Sequence, residues 1–258
     1  NQAAADGAYM ICGGLSEKGT VAANAVKLNQ STVSGLRYLW GGYSPYGRVS
    51  ENKVTFTAST ISGNASYIVG AYGVAPYKNT MSIEDTKIDN LAEVRGVYGT
   101  VYEGDDDAVY TTLTRENQLK ITGNSEITFL PVSGTSLIGA DATGLAQGNS
   151  LTVENSKVYN LSVLEGVKAE QNASENQLQL TNAEVSGLSC LIGVQAMGED
   201  TVSGKAVGNT AAITGGSLSF TDGVLDSDGG YPSKPTLAAA YAGASAYKNS
   251  LALTNVKV

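Results

Sequence analysis

The chain has 258 residues, of which 42% are hydrophobic, 16% are charged and 31 are glycine. This apolar fraction is enough to fill a core and argues against disorder, and many glycines beside few charges favour short strands with tight corners over helices. The formal net charge of -8 argues against nucleic acid or an anionic membrane surface as the main partner, because both need an excess of lysine and arginine.

No segment of the sequence predicts insertion into a membrane. No apolar run approaches the roughly 18 residues needed to cross a bilayer. The opening NQAAADGAYM lacks the basic and then apolar segments of a signal peptide. These residues are therefore expected to lie outside the bilayer.

The same short pattern recurs eight times along the chain: asparagine, any residue, apolar, any residue, apolar. The segments read NAVKL, NKVTF, NTMSI, NQLKI, NSLTV, NQLQL, NTAAI and NSLAL. Their asparagines are Asn24, Asn52, Asn79, Asn117, Asn149, Asn176, Asn209 and Asn249. Strict alternation over so few residues predicts a strand with one buried face.

A corner rich in Ser, Thr, Asn and Gly follows each of these strands and leads to a second strand with another inward apolar residue. In seven copies it lies nine positions after the asparagine: Val33, Ile61, Ile88, Val158, Val185, Leu218 and Val258. In the fourth copy it is Ile127, one position later, which indicates a bulge or a looser corner.

A third strand with a glycine bend is visible in five copies, which read YLWGGY, YIVGAY, EVRGVY, VLEGVK and CLIGVQ. The segment ICGGLS near the start is the same piece of a preceding coil. Alternation directs one apolar residue of each copy inward: Leu39, Ile68, Val94, Leu164 and Leu191. The next residue points outward, the glycine makes the bend, and a small or apolar residue points inward again.

Such a unit cannot bury its own apolar face, but identical strands stacked in parallel make one continuous core. We therefore predict an all-β chain, a right-handed parallel β-helix with about eight coils, in which residues 1–258 form a single β-helical segment of a longer repeat protein. An antiparallel sandwich would give no reason for the asparagine to recur in register. The stacked asparagines predict a hydrogen-bond ladder that fixes the corner, rather than a functional array.

Successive asparagines are 27 to 40 residues apart, so the excess must leave the core as loops. We place these loops at 99–116, 139–148, 196–208 and 221–247, each at the end of a coil before the next asparagine. Loops at one edge are predicted, and insertions confined to one edge usually form the recognition surface of a repeat protein.

Cys12 and Cys190 show no CxxC spacing, so neither a zinc site nor a redox pair is indicated. The repeat places them about six coils apart, which at about 4.8 Å per coil is nearly 30 Å. A disulfide requires Cα atoms within about 7 Å. Both are therefore expected to be free thiols.

The recurrence of NxφxφxxSxφ, followed by the glycine-containing third strand, resembles the passenger region of autotransporter adhesins of Gram-negative bacteria. The resemblance covers the whole chain. It implies export in unfolded form, a cell-surface location with outer-membrane anchoring through a segment outside these residues, and a role in adhesion, virulence or a stalk. Polysaccharide lyases, phage tailspikes and ice-binding proteins are also parallel β-helices, and the repeat alone does not separate them.

The outward positions of the third strand carry the candidate ligand-binding residues. Tyr43, Tyr72 and Tyr98 follow the glycine bend in three consecutive coils, and the outward residues before the bend include Trp40 and Arg95. Tyrosines about 4.8 Å apart predict a flat aromatic strip suited to sugar rings or to the apolar side chains of a partner. In later coils the position after the bend becomes lysine or glutamine, so the strip ends.

Alternatively, nearby loop residues fold over this strip as a local satellite core. These residues are Pro45, Tyr46, Pro76, Tyr77 and Tyr102. Exposed aromatic strips are uncommon unless they are used, so the satellite core is favoured over an exposed strip.

Two acidic runs are candidates for calcium: Glu103, Asp105, Asp106 and Asp107, and Asp222, Asp226 and Asp228. Neither has the spaced ligands of a known calcium loop. Solvated loop tips explain them better. No metal or cofactor is therefore predicted.

Catalysis is not predicted. The chain has no histidine, which excludes triads and metal sites built on imidazole. A glycosidase would need two carboxylates about 5 to 9.5 Å apart on one face. Outward acids on adjacent coils are hard to find, because Glu165 has Ile192 above it and an irregular coil separates it from Arg95. A GxxxxGK phosphate loop is also missing from the sequence.

The favoured function is a surface-displayed adhesive or stalk segment that binds a host-cell protein or glycan, or neighbouring bacterial cells, without a cofactor. A polysaccharide-active enzyme and a passive spacer are the alternatives. Carboxylates clustered with Lys or Arg in one groove would support the enzyme. Exposed aromatic residues without carboxylates would support the adhesin, and the absence of both features would support the spacer. Open ends of a β-helix present unpaired strand edges, so end-to-end self-association is also expected.

Overall fold

The alternating segments that open each repeat form strands that pair in parallel from coil to coil. The computed structural model describes residues 4–5, 10–100, 102–103, 109–110, 112–197, 203–221 and 235–258. Within these ranges the chain is all β, and its stacked parallel strands confirm the predicted parallel β-helix. None of the described residues forms a helix that is long and apolar enough to cross a bilayer. We number the coils from coil 1, which begins at Asn24, to coil 8, which begins at Asn249, and call the residues before Asn24 coil 0.

In chain order the strands are β1 (Ala4–Ala5), β2 (Met10–Cys12), β3 (Val21–Ala22), β4 (Ala25–Asn29), β5 (Thr32–Ser50), β6 (Lys53–Thr57), β7 (Thr60–Tyr77), β8 (Thr80–Glu84), β9 (Lys87–Thr100), β10 (Tyr102–Glu103), β11 (Val109–Tyr110), β12 (Leu113–Arg115), β13 (Gln118–Thr122), β14 (Glu126–Phe129), β15 (Ser136–Ala142), β16 (Leu145–Gln147), β17 (Ser150–Glu154), β18 (Lys157–Tyr159), β19 (Val163–Ala169), β20 (Ala173–Ser174), β21 (Gln177–Thr181), β22 (Glu184–Leu188), β23 (Cys190–Ala196), β24 (Lys205–Val207), β25 (Thr210–Thr214), β26 (Ser217–Phe220), β27 (Thr236–Ala242), β28 (Ser245–Tyr247) and β29 (Ser250–Thr254).

Each recurring asparagine precedes a strand of one eight-stranded sheet, in the order β29-β25-β21-β17-β13-β8-β6-β4. These strands pair in parallel register, so that Leu119 lies between Met81 and Leu151. The three side chains are at most 1% exposed, whereas Lys120, the next residue along the strand after Leu119, faces solvent. The period-two pattern therefore selects the buried face of this sheet.

The rest of each coil belongs to a 19-stranded sheet. In coils 1 to 3 the chain passes through the second and third strands without a break, as β5, β7 and β9. In coils 4 to 7 it divides into a second strand, a third strand and a short fourth strand before the next asparagine. These fourth strands are β16, β20, β24 and β28, and β12 takes the same place in coil 3, where it pairs with β16. The repeat predicts three strands per coil, and the fourth is a feature that the pattern did not reveal.

The core has two parts inside the solenoid. The larger cluster joins the first, second and third strands, and a smaller one, rich in alanine, joins the end of the third strand to the fourth. All predicted inward residues of the second and third strands in coils 1 to 7 are at most 3% exposed. Val258, also predicted to point inward, is 67% exposed because it lies in the last coil, with no coil packed on it.

The predicted asparagine ladder runs through all eight copies. Asn117 shows the repeating unit: its backbone N–H and its Nδ2 both donate to Oδ1 of Asn149, at 3.1 and 2.9 Å. Nδ2 of Asn149 also donates to the carbonyl of Thr114 at 3.0 Å. The residue before each asparagine has a positive φ, such as 55° at Glu116, so the chain turns sharply there. Asn117 and Asn149 are fully buried, and the ladder satisfies their amides.

A column of glycines in the third strands is required by packing between coils. A Cβ atom at Gly96, Gly139 or Gly166 would lie 2.2 to 2.4 Å from the carbonyl oxygen of the next residue in the column. No real side chain tolerates such an approach to backbone. In coil 7 the position of the column is occupied by Ala239. Gly193 of coil 6 packs against the carbonyl of Ala239. The glycine that the sequence predicts to form a bend therefore allows the backbones of neighbouring coils to approach closely.

The placement of two predicted loops needs correction. Most of 139–148 and the end of 221–247 belong to the coil, as β15 with β16 and as β27 with β28. Coils 4 and 7 are longer than the shortest repeat, which has 27 residues. Their extra residues connect the second strand to the third, between β14 and β15 in coil 4 and between β26 and β27 in coil 7. The other two insertions follow the third strand, but the ends of the predicted loops 99–116 and 196–208 belong to the coil as β12 and β24. Insertions therefore occur at two corners of the solenoid.

The two cysteines lie far apart, in coils 0 and 6. Cys12 is half-buried and Cys190 is buried, and both are free thiols. Burial raises the pKa of each thiol above its usual value. Cys190 packs with Val163 and Ile192 in a small apolar cluster on the outward side of the third strands.

Candidate aromatic groove

Parallel pairing brings the outward side chains of the third strands of coils 1, 2 and 3 into three columns. Tyr38, Tyr67 and Glu93 form the first column, Trp40, Val69 and Arg95 the second, and Tyr43, Tyr72 and Tyr98 the third. Together these nine residues line an open groove of about 330 Å³, called here the aromatic groove. It contains all five predicted ligand-binding residues: Trp40, Tyr43, Tyr72, Arg95 and Tyr98.

The rings of the aromatic groove stack on one another. Ring centroids are 4.9 Å apart between Tyr43 and Tyr72 and 5.0 Å apart between Tyr72 and Tyr98, with interplanar angles of 21° and 17°. Within coil 1, Trp40 lies 4.5 Å from Tyr43 and 5.3 Å from Tyr38. The spacing predicted from the coil rise is confirmed, and these pairs are stacked except Trp40–Tyr43, whose ring planes are tilted by 36°.

Stacking changes what this surface offers to a ligand. Tyr72 has a ring neighbour on each adjacent coil, and Tyr98 has Tyr72 together with the guanidinium of Arg95, whose Cζ lies 4.6 Å from its ring centroid. The strip was expected to present flat ring faces. Instead, the faces of the central rings contact one another, and ring edges and hydroxyls are left to line the groove.

A charged cluster closes the groove at coil 3. Arg95 Nη1 lies 2.6 Å from Asp141 Oδ2, and Nη2 donates to Glu93 Oε2 at 2.8 Å. Burial acts to lower the pKa of Arg95, but Asp141 and Glu93 raise it, and the net pKa lies above its usual value. The guanidinium therefore stays charged and holds two carboxylates from adjacent coils.

Glu93 and Asp141 were missed from the sequence, and the expectation that adjacent outward acids are lacking is corrected. The third strand of the coil between Arg95 and Glu165 keeps the regular register: β15 places Asp141 beside Tyr98 on one side and Lys168 on the other. The signal was present, since SLIGADA repeats the third-strand pattern with an aspartate where the tyrosine stood.

The same outward face is largely buried in coils 4 to 6. Ile138 is 2% exposed, Asp141 is 5% exposed, and Glu165, Ile192 and Gln195 are 0% exposed. The open groove is therefore restricted to the coils that carry the aromatic residues.

The satellite-core alternative predicts loop residues folded over the strip. Tyr46 is 51% exposed, and the ring of Tyr77 contacts Arg115 and Lys78, at 4.4 and 4.8 Å, rather than the groove. The side chain of Tyr102 lies outside the described residues. None of the described members of this set, Pro45, Tyr46, Pro76 and Tyr77, lines the groove.

The acidic runs are not described. The side chain of Glu103 and the aspartates at 105–107, 222, 226 and 228 lie outside the described residues. In the part of the chain that the structure does describe, three or more His, Cys, Asp or Glu side chains do not come together as a metal site.

Comparison of the chain with protein-family models, with curated proteins and with solved structures finds no match. The candidate site therefore stands on the geometry of the groove alone.

Proposed function

We propose that this chain is a non-catalytic adhesive segment of an extracellular β-helical stalk that binds its ligand through the aromatic groove. The observation that carries the proposal is the set of six aromatic side chains gathered on three adjacent coils: Tyr38, Trp40, Tyr43, Tyr67, Tyr72 and Tyr98. Clustered aromatics in an open groove are typical of recognition surfaces, because they bury much area at little cost in side-chain entropy.

The cellular setting of this proposal rests on the resemblance of the repeat to autotransporter passengers. It places the chain on the bacterial surface, anchored in the outer membrane through another segment, with a host-cell protein or glycan or a neighbouring bacterium as partner. Nucleic acid is disfavoured by the net charge of -8.

The test is binding of the labelled chain to host cells, to bacterial cells and to a glycan array. A variant with Trp40, Tyr43, Tyr72 and Tyr98 changed to alanine is compared with wild type and with Tyr247→Ala, which removes a ring that is 51% exposed on coil 7. Circular dichroism checks that each variant is folded. Binding lost in the four-residue variant and kept in Tyr247→Ala supports the proposal. Binding kept by both places the site elsewhere, and no binding by wild type favours the passive spacer.

A polysaccharide-active enzyme is the second candidate, and the Glu93–Arg95–Asp141 cluster favours it. Glycoside hydrolysis uses a pair of carboxyl groups, and Glu93 and Asp141 lie together at the end of the groove, where the guanidinium that they share favours the ionised form of both. Incubation of the chain with soluble polysaccharides, followed by measurement of new reducing ends, tests this candidate. Cleavage abolished by Asp141→Asn would establish the enzyme, and no cleavage at any pH would leave the adhesin.

A further inference from the structure

The shape of the aromatic groove suits an extended ligand. The column of Tyr43, Tyr72 and Tyr98 spans two coil spacings, about 10 Å. Between the two outer columns, the central outward positions hold Trp40 and Val69 in coils 1 and 2 and Arg95 in coil 3, so the middle of the groove is apolar over coils 1 and 2. Its volume of about 330 Å³ is at the lower end of the range for small-molecule sites. A slender chain lying along the solenoid axis fits this space.

The polar groups of the groove are mostly hydroxyls. Five tyrosines and the single tryptophan supply five phenolic O–H groups, which both donate and accept, and one indole N–H donor. Burial raises the pKa of Tyr72 and Tyr98, so these phenols stay protonated at physiological pH. Because the rings stack at the coil spacing, the groove offers hydroxyls at a regular interval to a ligand with repeated polar groups.

The charge of the groove disfavours an anionic ligand. Arg95 is the cation among the nine lining residues, and it already contacts Glu93 and Asp141. With both carboxylates ionised, the cluster has a formal charge of one negative unit. An acidic group would have to displace one of these carboxylates, and a chain with a net charge of -8 gives it no long-range attraction.

An added peptide strand is also disfavoured. Strand addition needs backbone N–H and C=O groups that are unpaired at a sheet edge. The third strands that carry the groove pair in parallel with both neighbouring coils, as β7 does with β5 and β9. Side-chain hydroxyls and ring edges are therefore what the groove presents.

We propose that the ligand of the aromatic groove is an uncharged oligosaccharide that lies along the solenoid axis. Its hydroxyls meet the tyrosine hydroxyls of the outer columns, and its C–H groups contact the ring edges that line the groove. This inference rests on the proposed function, since it names the ligand class of the same site.

Intrinsic fluorescence gives a direct test, because Trp40 is the single tryptophan of the chain. The chain is titrated with neutral oligosaccharides of glucose, mannose and galactose and, in parallel, with uronic acid and sialylated oligosaccharides of similar length. A saturable change in Trp40 emission with a neutral oligosaccharide is expected, with acidic ones binding at least tenfold more weakly. Tighter binding of the acidic set would overturn the inference.

Two substitutions make the test specific to the groove. Tyr72→Phe removes one hydroxyl and keeps the ring, and it is expected to weaken binding about fivefold, whereas Tyr247→Phe on coil 7 leaves it unchanged. Asp141→Asn removes one of the carboxylates that neutralise Arg95, so binding of acidic oligosaccharides is expected to strengthen several-fold. Equal affinity of wild type and Tyr72→Phe for the neutral ligand would count against hydroxyl recognition.

Failure of this inference can be told apart from failure of the proposed function. If no oligosaccharide alters Trp40 emission while binding to cells still depends on the four aromatic residues, the sugar class is wrong and the adhesive groove stands. If binding to cells is also independent of those residues, both proposals are wrong.

Discussion

The outward face of the third strands differs sharply between coils 1 to 3 and coils 4 to 6, although the backbone pairs in the same register throughout. In the first region the outward positions hold stacked rings that are half-buried in an open groove. In the second they include Ile138, Glu165 and Ile192, none of which is more than 2% exposed. One scaffold thus supports a binding surface over a few coils and a buried surface over the next.

The features that recur in this chain therefore maintain the coil, whereas the outward positions of the third strands vary from one coil to another. The asparagine ladder, the inward apolar residues and the glycine column recur in nearly every coil. They set the coil spacing of about 4.8 Å, which in turn sets the spacing of the outward rings. Substitutions in the shared features are expected to affect stability, and those in the groove to affect binding.

The largest effect is expected in the middle of the asparagine ladder. Asn149→Ala leaves the N–H and Nδ2 of Asn117 without their acceptor and the carbonyl of Thr114 without its donor, all in a buried corner. A loss of about 3 to 5 kcal/mol in the free energy of unfolding is expected from several unsatisfied buried groups. Urea denaturation measures it.

Asn24→Ala is the matched control at the first copy of the ladder. Asn24 is only partly buried, so the same change there is expected to cost about 1 kcal/mol. Equal losses at the two positions would show that burial does not determine the strength of the ladder.

The next largest effect is expected in the glycine column. The Cβ of Gly166→Ala would lie 2.4 Å from the carbonyl oxygen of Gly193, so neighbouring coils must separate. A loss of about 2 to 4 kcal/mol is expected, as for an overpacked core. Thermal unfolding would measure it, with Ala239→Gly, a change that adds no Cβ, as a control expected to cost no more than about 1 kcal/mol. A stable Gly166→Ala protein would contradict the close contact between coils.

A third prediction compares the two regions directly. Ile192→Ala on the buried face is expected to cost about 3 kcal/mol, because it leaves a cavity beside Cys190 and Val163. Tyr72→Ala on the open face is expected to cost about 1 kcal/mol, since that ring is only half-buried. Denaturant titration of both variants gives the ranking, and the reverse order would mean that the aromatic residues serve mainly as core.

The smallest effect concerns the last coil. Leu253 is 45% exposed there, whereas Ile213, its partner one coil earlier, is 1% exposed. We therefore expect this 258-residue chain to associate weakly end to end, with an apparent mass in light scattering that rises with concentration. Leu253→Lys is expected to remove the rise and Thr254→Lys to preserve it. A constant monomer mass at high concentration would contradict this proposal.

The coil was predictable from the sequence because its rules act on neighbouring coils and are repeated. Asn117 and Leu119 have counterparts in every copy, so their roles can be read from recurrence alone. Asp141 was missed because its strand follows an extra connection after β14 and replaces the tyrosine with an acid. The stacking of Tyr43, Tyr72 and Tyr98 depends on side-chain torsions, which spacing does not specify.

The central claim is that recognition is confined to the aromatic groove, and tyrosine footprinting tests it without any substitution. The chain has 14 tyrosines, and nitration of each is measured by mass spectrometry with and without bound cells. We predict protection of Tyr43, Tyr67 and Tyr72 on cell binding, with Tyr159 and Tyr247 nitrated as in the free chain. Protection of Tyr159 and Tyr247 with no change at Tyr43, Tyr67 and Tyr72 would contradict the account.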